Sequence, residues 1–561
     1  MLDTPNRETR SDLSTRVLDI VGYLGKQPKD LPEYYRRLLD DEDLYLRTGA
    51  MAALLDLGAV ERGQWTTAVS LSRYGAIGRR AFYFFTQSRE YALARQALDA
   101  LATAERPDPV ERMRADLALD SRSIGEFEAR DFLATGEVSH LLSAAANFEA
   151  AAGWREAVLW AARATALHPI VPATAMLLLT LLESSNQPDL LDGILETFRR
   201  GNVFPLVRRI YRGVQLVERG KPDEAISQLS TIELKTVPTS QLRIAICGGL
   251  AKAHEKLGDY RSAAAAYRRQ HEQIDGEKMD PADFMRSVRR LARIDVGEVG
   301  PDRRSDHFMM LGFPRSGTTL LENVLAAHPE IETFEEIPSY QSVAEASQAF
   351  EQAKFASPEE RRAAAEAMRE RYYVEIERRK RKAGARIFVD KLPIRSAYAE
   401  SLEKFFPQKK YIFSIRHPYD VVLSCYRQSF KPNPAMENFR QFDKACALYD
   451  EVMSVWFKAF PGESERICYL RYDDLVTDFE AAVRRVLAFL GADWNEEVRA
   501  FSERSQERRV ATPSYAKVRA GLSIGVQSSW RNYRFLFGSR ETGHLDKWVE
   551  RFGYKRLSDA E

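Results

Sequence analysis

The sequence predicts a multidomain chain in which an all-α repeat solenoid precedes an α/β domain built on a central parallel sheet. Three observations carry this. The chain has 561 residues, more than one ordinary core accommodates. From about residue 30 to 295 it is rich in Ala, Leu, Arg and Glu, with apolar positions at helical spacing and few β-branched runs. After the Gly-, Pro- and Asp-containing stretch VGEVGPDRRSD (296–306), short β-rich runs alternate with helical patterns. Such alternation is the mark of a parallel sheet covered on both faces. The expected division is 1–300 for the helical region and 301–561 for the α/β region.

Within the helical region a phrase recurs: a small or polar turn, an aromatic or its equivalent, then small residues at helical spacing. The clearest copy is AKAHEKLGDYRSAAAAYRRQ, punctuated at Gly258-Asp259-Tyr260. Gly153-Trp154 and Gly220 mark similar turns 67 residues apart, with Asn186-Gln187-Pro188 at the midpoint, so the period is about 34. Gly220 to Gly258 is 38, which predicts one longer connection. This phrase resembles the tetratricopeptide repeat, most closely at 246–270. The resemblance implies stacked helix pairs, with Ala251, Ala263 and Ala266 at close crossings, and a concave groove suited to a protein or peptide. Self-association is the other use such an array serves.

Strand candidates in the α/β region are 307–313, 385–391, 410–416 and 467–472, and helix candidates are 319–327, 358–382, 396–406 and 418–427. In a parallel sheet of this kind ligands sit at the carboxyl ends of strands, so Met310, Val389 and Ile415 point toward the site.

Composition narrows the function classes. Lys plus Arg is 82 against 81 for Asp plus Glu, a net charge of +1, which argues against coating nucleic acid by bulk charge but leaves room for a compact basic pocket. The basic run Arg378 to Lys382 reads as the solvated face of a Glu/Arg-rich helix. Cys247, Cys425, Cys446 and Cys468 include no C-x-x-C pair, and there is no H-E-x-x-H, so neither a disulfide scaffold nor a metal site is expected. The longest apolar stretch, 170–182, is interrupted by Pro172 and falls short of the roughly 20 residues that span a bilayer. The N-terminal segment MLDTPNRETRSDLSTR has no apolar signal region. A cytoplasmic protein without transmembrane segment or nucleic-acid partner is the expectation.

The most informative segment is MMLGFPRSGTTLLENVLAAHP. A strand runs into Gly312, a loop follows through Arg315, Ser316 and Gly317, and Thr318 and Thr319 open a helix. Successive backbone N–H groups and the positive helix end make such a loop an anion cradle. Gly312 and Gly317 have the spacing of the nucleotide-triphosphate loop, but Thr318 stands where that loop has the lysine that reaches the β/γ-phosphates. This weakens a kinase-like reading, and Arg315 offers a planar fork for a different anion.

The P-R-S-G-T-T-L-L run resembles the 5′-phosphosulfate loop of sulfotransferases, which use adenosine 3′-phosphate 5′-phosphosulfate (PAPS) as co-substrate and no metal. FSIRHPYDVVLSCYRQ resembles the same family's strand–R-x-P-x-D-x-x-x-S–helix segment, which assigns Arg416 and Ser424 to the donor's 3′-phosphate. The resemblance covers roughly 307–535 and implies a P-loop-like sulfotransferase domain. HPEIETFEE resembles tyrosylprotein sulfotransferases, whose E-E pair supplies the base; that assigns Glu336, with Glu335 as second choice. Adjacent carboxylates on a strand point to opposite faces, so one of the two is expected to face the site. IFVDKLPIR resembles the family segment whose lysine, here Lys391, stabilises the transferring group, and LRYDDL resembles the family's strand-end Y-E/D-D-L segment, which implies that Tyr472 contacts the adenine or helps order the site. ATPSYAKVRAG and SSWRNY resemble later donor segments and bring Ser514, Arg519 and Arg531 into the expected set, with Lys517 and Ser529 departing from the family pattern. Ile337-Pro338 replaces the T-R that follows E-E in the tyrosylprotein family, so the acceptor stays open among a protein tyrosine, a carbohydrate hydroxyl and a lipid hydroxyl. The rival readings are a P-loop kinase-like phosphotransferase and a repeat scaffold with a degenerate nucleotide-binding domain.

Overall fold

The computed structural model describes residues 10–26, 30–104, 112–113, 121–151, 153–185, 187–275, 279–302, 304–337, 339–462, 464–499, 501 and 529–558. By packing, the chain divides into two compact units, Met1–Thr231 and Ile232–Glu561.

The regular elements described in the first unit are all helical. Its last three helix pairs are Val138–Ala150 with Trp154–Leu167, Pro172–Ser184 with Pro188–Arg200, and Pro205–Glu218 with Pro222–Leu229. The second helices of these pairs start 34 residues apart, at the turns the sequence marks. Proline suits these starts because its fixed φ is helical and its missing N–H would be unpaired there. Gly213 allows the last pair to close up: a Cβ there would lie 2.5 Å from a methyl of Leu229. A buried charge cluster ties the N-terminal helices together. Asp43 caps Leu44–Asp56 and pairs with Arg163 at 2.7 Å, and Arg163 lies over the rings of Tyr45 and Trp160.

The second unit opens with a helical hairpin, Ser240–Lys256 and Tyr260–Glu272, and a helix Ala282–Arg293. These helices lie N-terminal to the expected division at 300/301, yet their apolar faces are spent on the α/β layer. Ala263, Phe284, Met285, Val288 and Leu291 share one core with Met309, Leu311 and Phe413. The packing division and the expected one differ by these three helices.

Five strands form one parallel sheet: β1 His307–Gly312, β2 Ile331–Glu335, β3 Ile387–Lys391, β4 Lys410–Ile415 and β5 Ile467–Arg471, in the order β2-β3-β1-β4-β5. Strand alternation sends Met309, Leu311 and Phe413 to one face and Phe308, Met310, Val389 and Ile412 to the other. Helix Thr318–Ala327, after β1, packs on the second face, whereas helix Pro418–Tyr426, after β4, packs on the first. Adjacent strands whose following helices leave to opposite faces open a crevice at their carboxyl ends.

Two expectations need correction. The helix expected over 358–382 is Pro358–Glu377, and the basic run lies beyond it. Its last member is no solvated charge: Lys382 Nζ donates to the carbonyls of Ala326 (2.9 Å), Ile331 (2.8 Å) and His328, closing the end of helix Thr318–Ala327. The segment expected as one helix over 396–406 is a 3₁₀ turn, Pro393–Tyr398, followed by Ala399–Phe405. Among the described residues no helix is long and apolar enough to cross a membrane, and the four cysteines are free and buried.

Candidate active site

The loop after β1 is built on residues in the left-handed backbone region. Gly317 has φ +101° and a Cβ there would lie 2.5 Å from the Tyr472 ring, so only glycine fits between helix and ring. Arg315 has φ +73°, a conformation that costs a non-glycine residue on the order of 1–2 kcal/mol. Contacts on both sides hold it there. Its Nε donates to Ser424 Oγ at 3.1 Å, and its carbonyl accepts from Arg416 Nη1 at 3.4 Å. Arg416 directly follows β4 and lies 4.6 Å over the ring of Tyr472. Thr318 and Thr319 form the buried first turn of the helix. Ser316 Oγ is buried and finds no hydrogen-bond partner among the described residues.

Guanidinium groups cluster in this pocket. Burial, together with the guanidiniums of Arg416 and Arg427, pushes the Arg315 guanidinium down to about 10. Arg427 is compensated from the helical hairpin: its Nη2 donates to Glu255 Oε2 at 2.6 Å and its Nε to Tyr267 Oη at 3.4 Å. Glu255 also accepts from Tyr533. Cationic groups around Ser424, a buried hydroxyl without partner and a helix N-terminus fit a bound anion.

A second cluster stands beside it at the ends of β2 and β3. Lys391 is fully buried, and its Nζ is 3.0 Å from Glu322 Oε2, 3.1 Å from Glu336 Oε1 and 3.5 Å from Glu335 Oε1. Burial alone would lower this lysine, but the carboxylates of Glu322, Glu336 and Glu335 raise it above its ordinary value. Burial holds the Glu322 carboxyl well above the usual range, against the pull of Lys391. Both Glu335 and Glu336 reach Lys391, contrary to the expected opposition of their side chains. Glu335 is the last strand residue, in register with Lys391, and Glu336 then turns at φ +49° while its N–H still donates to the Lys391 carbonyl at 2.8 Å. The turn folds the second carboxylate back to the same side. Glu336 also raises the Arg315 guanidinium slightly, so the two clusters are neighbours.

Of the remaining expected residues, Arg531 is exposed on the segment Ser529–Leu536. It lies near His417, which burial and the charges of Arg416 and Arg531 push down to about 4. Ser514 and Arg519 lie outside the described residues. Glu322, Arg427 and Glu255 were not anticipated. The signal for Glu322 was faint: a lone acid in the apolar run TTLLENVLAA, every residue of which is buried.

Residues 308–496 match a family model described as the sulfotransferase family. A protein of uncharacterised function from Aquifex aeolicus is 26% identical over 374 residues, covering 63% of this chain and 47% of its own length. A protein-tyrosine sulfotransferase A from Caenorhabditis elegans is 25% identical over 243 residues, 41% of this chain and 62% of its own. The match thus spans about half to three-fifths of these relatives. Among solved structures, the sulfotransferase domain of the Synechococcus PCC 7002 olefin synthase is 20% identical with a TM-score of 0.34, covering 46% of this chain and 97% of that one. The C-terminal region of the chain carries a sulfotransferase-family domain.

Proposed function

We propose that the protein is a PAPS-dependent sulfotransferase that moves a sulfuryl group to an acceptor hydroxyl, with a tetratricopeptide-like array over 1–300 binding a protein or peptide acceptor and the transfer chemistry in 301–561. The observation that carries this reading is the convergence of Arg315, Ser424 and Arg416 at the loop after β1, beside the Lys391–Glu336 pair. Two anion cradles at neighbouring strand ends suit a donor with two phosphate ends. A mouse sulfotransferase of low similarity was solved complexed with PAP, which is in keeping with the donor proposed.

Each residue then has a task. Arg416 and Ser424 hold the 3′-phosphate, and the loop offers the backbone N–H groups of Gly317 to Thr319 and the hydroxyls of Ser316, Thr318 and Thr319 to the 5′ end. Tyr472, already stacked under Arg416, orders the adenine side. The donor supplies an activated sulfuryl group when bound. Lys391 and Arg315 offer cationic donors where charge develops on the transferring group and the leaving phosphate. Glu336 accepts the acceptor's hydroxyl proton, the new S–O bond forms, and the S–O bond to the 5′-phosphate breaks with its electron pair remaining on the phosphate. Positioning and charge supply most of the acceleration in such transfers.

Thermal unfolding with adenosine 3′,5′-bisphosphate tests the donor site. Wild type should be stabilised and Arg416→Ala should lose the shift; no shift in wild type would overturn the reading. With labelled PAPS and a whole lysate as acceptor source, Glu336→Ala should drop transfer by at least about a hundredfold while still binding the bisphosphate.

A further inference from the structure

The ammonium of Lys391 has three N–H donors, and three carboxyl groups surround it: Glu322 from the helix after β1, Glu335 at the end of β2 and Glu336 just past it. Glu336 and Glu335 accept hydrogen bonds from Lys391 Nζ and Glu322 Oε2 stands 3.0 Å away as an ion-pair partner, so all three carboxyls compete with a sulfuryl oxygen for one ammonium. One ammonium against three carboxyls also makes the pocket a poor host for an anionic donor. The three carboxyls are not equivalent. The Glu336 side chain is 41% exposed and Glu335 22%, so either can swing toward water, whereas Glu322 is 8% exposed on a helix buried along its whole length. A group that cannot move away responds to an incoming anion by changing its protonation instead.

We propose that Glu322 is a positioning residue of the transfer site that takes up one proton from solvent when the donor binds, releasing the Lys391 ammonium from its ion pair for the sulfuryl group and leaving Glu336 to serve the acceptor. The inference rests on the sulfotransferase reading above and adds to it a role for a residue outside the family motifs. Burial already raises the Glu322 carboxyl, and drawing Lys391 toward a new anion removes its main stabilising charge and raises it further. Lys391, Glu335 and Glu336 are the charged groups that act on it most strongly. The sign follows: donor binding is favoured at lower pH and weakens as pH rises through and above neutrality. Two carboxyls with divided duties result, a buried one that carries the proton and a half-exposed one that accepts the next.

The test is calorimetric titration of full-length protein with PAPS, without acceptor, in buffers of different ionisation enthalpy between pH 7 and 9. Wild type should take up more protons per donor bound than Glu322→Gln, by up to about one, and its donor affinity should fall by as much as tenfold per pH unit relative to that variant. The variant keeps the shape and an oxygen acceptor for Lys391, and subtracting it removes protons taken up by the donor's own phosphate. Lys391→Met is the second variant: with the ammonium gone Glu322 stays protonated throughout, so the extra uptake should vanish there too. Equal proton uptake in wild type and Glu322→Gln would overturn the assignment while leaving the transferase reading intact. No binding of PAPS by wild type would overturn both.

Discussion

At Gly317 two independent constraints meet: φ of +101°, and the Tyr472 ring 2.5 Å from where a Cβ would stand. Gly317→Ala must therefore either twist the loop or push Tyr472 off the Arg416 guanidinium, and either change spoils the cradle. A left-handed non-glycine residue costs about 1–2 kcal/mol, so binding of adenosine 3′,5′-bisphosphate should weaken roughly 5- to 30-fold. Titration calorimetry at fixed salt checks this, and unchanged affinity would mean the loop does not contact the ligand. Arg315, Arg416, Ser424, Lys391 and Glu336 were legible in the sequence because each belongs to a strand-end motif, and strand order brings such ends together. Glu322 and Arg427 were not. Their roles come from what covers the helices they sit on: a glutamate within TTLLENVLAA becomes a buried ion only once Lys391 from β3 lies beside it. The reach of both Glu335 and Glu336 depends on one backbone angle at Glu336 that no spacing rule encodes.

Among the elements, helix Pro418–Tyr426 does more than present Ser424. Its Asp420 accepts from Ser529 Oγ at 2.9 Å and from the Trp530 backbone N–H at 3.1 Å, fastening the start of the segment Ser529–Leu536. Burial pushes this carboxyl up to about 6, partly opposed by Arg416 and the two hydrogen bonds. The native state thus binds the Asp420 proton more tightly than the unfolded chain does, so stability falls as pH rises from about 4 to about 6 and the full cost is present above that. Asp420→Asn keeps an acceptor without the buried charge. It should match wild type near the lower end of that window and be more stable by about 1–3 kcal/mol at alkaline pH, as read from unfolding midpoints at the two pH values. A variant less stable than wild type at both would show that the ionised carboxylate is needed. Elements were the scale at which the sequence read well, since β1, β3, β4 and β5 lie where β-branched and aromatic runs predict them. The edge strand β2 escaped because only Ile331 and Phe334 of its five residues are buried, leaving a strand whose remaining positions are polar.

For the molecule as a whole, the change from helical to alternating composition near residue 300 was visible, but it is not the boundary that packing draws. Amino-acid style follows secondary structure, whereas a domain edge follows which faces are buried together. The helices 240–293 look like the helical half and are packed into the α/β half, where Phe284, Met285, Val288 and Leu291 join the core that lies on one face of the sheet. Burying such side chains is worth about 1.5–3 kcal/mol each, so four of them contribute on the order of 6–12 kcal/mol. That sum is comparable to the whole stability of an ordinary domain, about 5–15 kcal/mol. A fragment spanning 301–561 should therefore aggregate or bind apolar dyes without a cooperative transition, whereas 232–561 should melt cooperatively and keep the bisphosphate-dependent shift. Glu255 sharpens the contrast, because the shorter fragment also leaves Arg427 buried without its carboxylate, and breaking a buried pair costs about 3–5 kcal/mol. Calorimetric scans of the two fragments decide the matter: a cooperative, dye-free transition in 301–561 would place the working boundary at 300 and make the hairpin dispensable to the donor site.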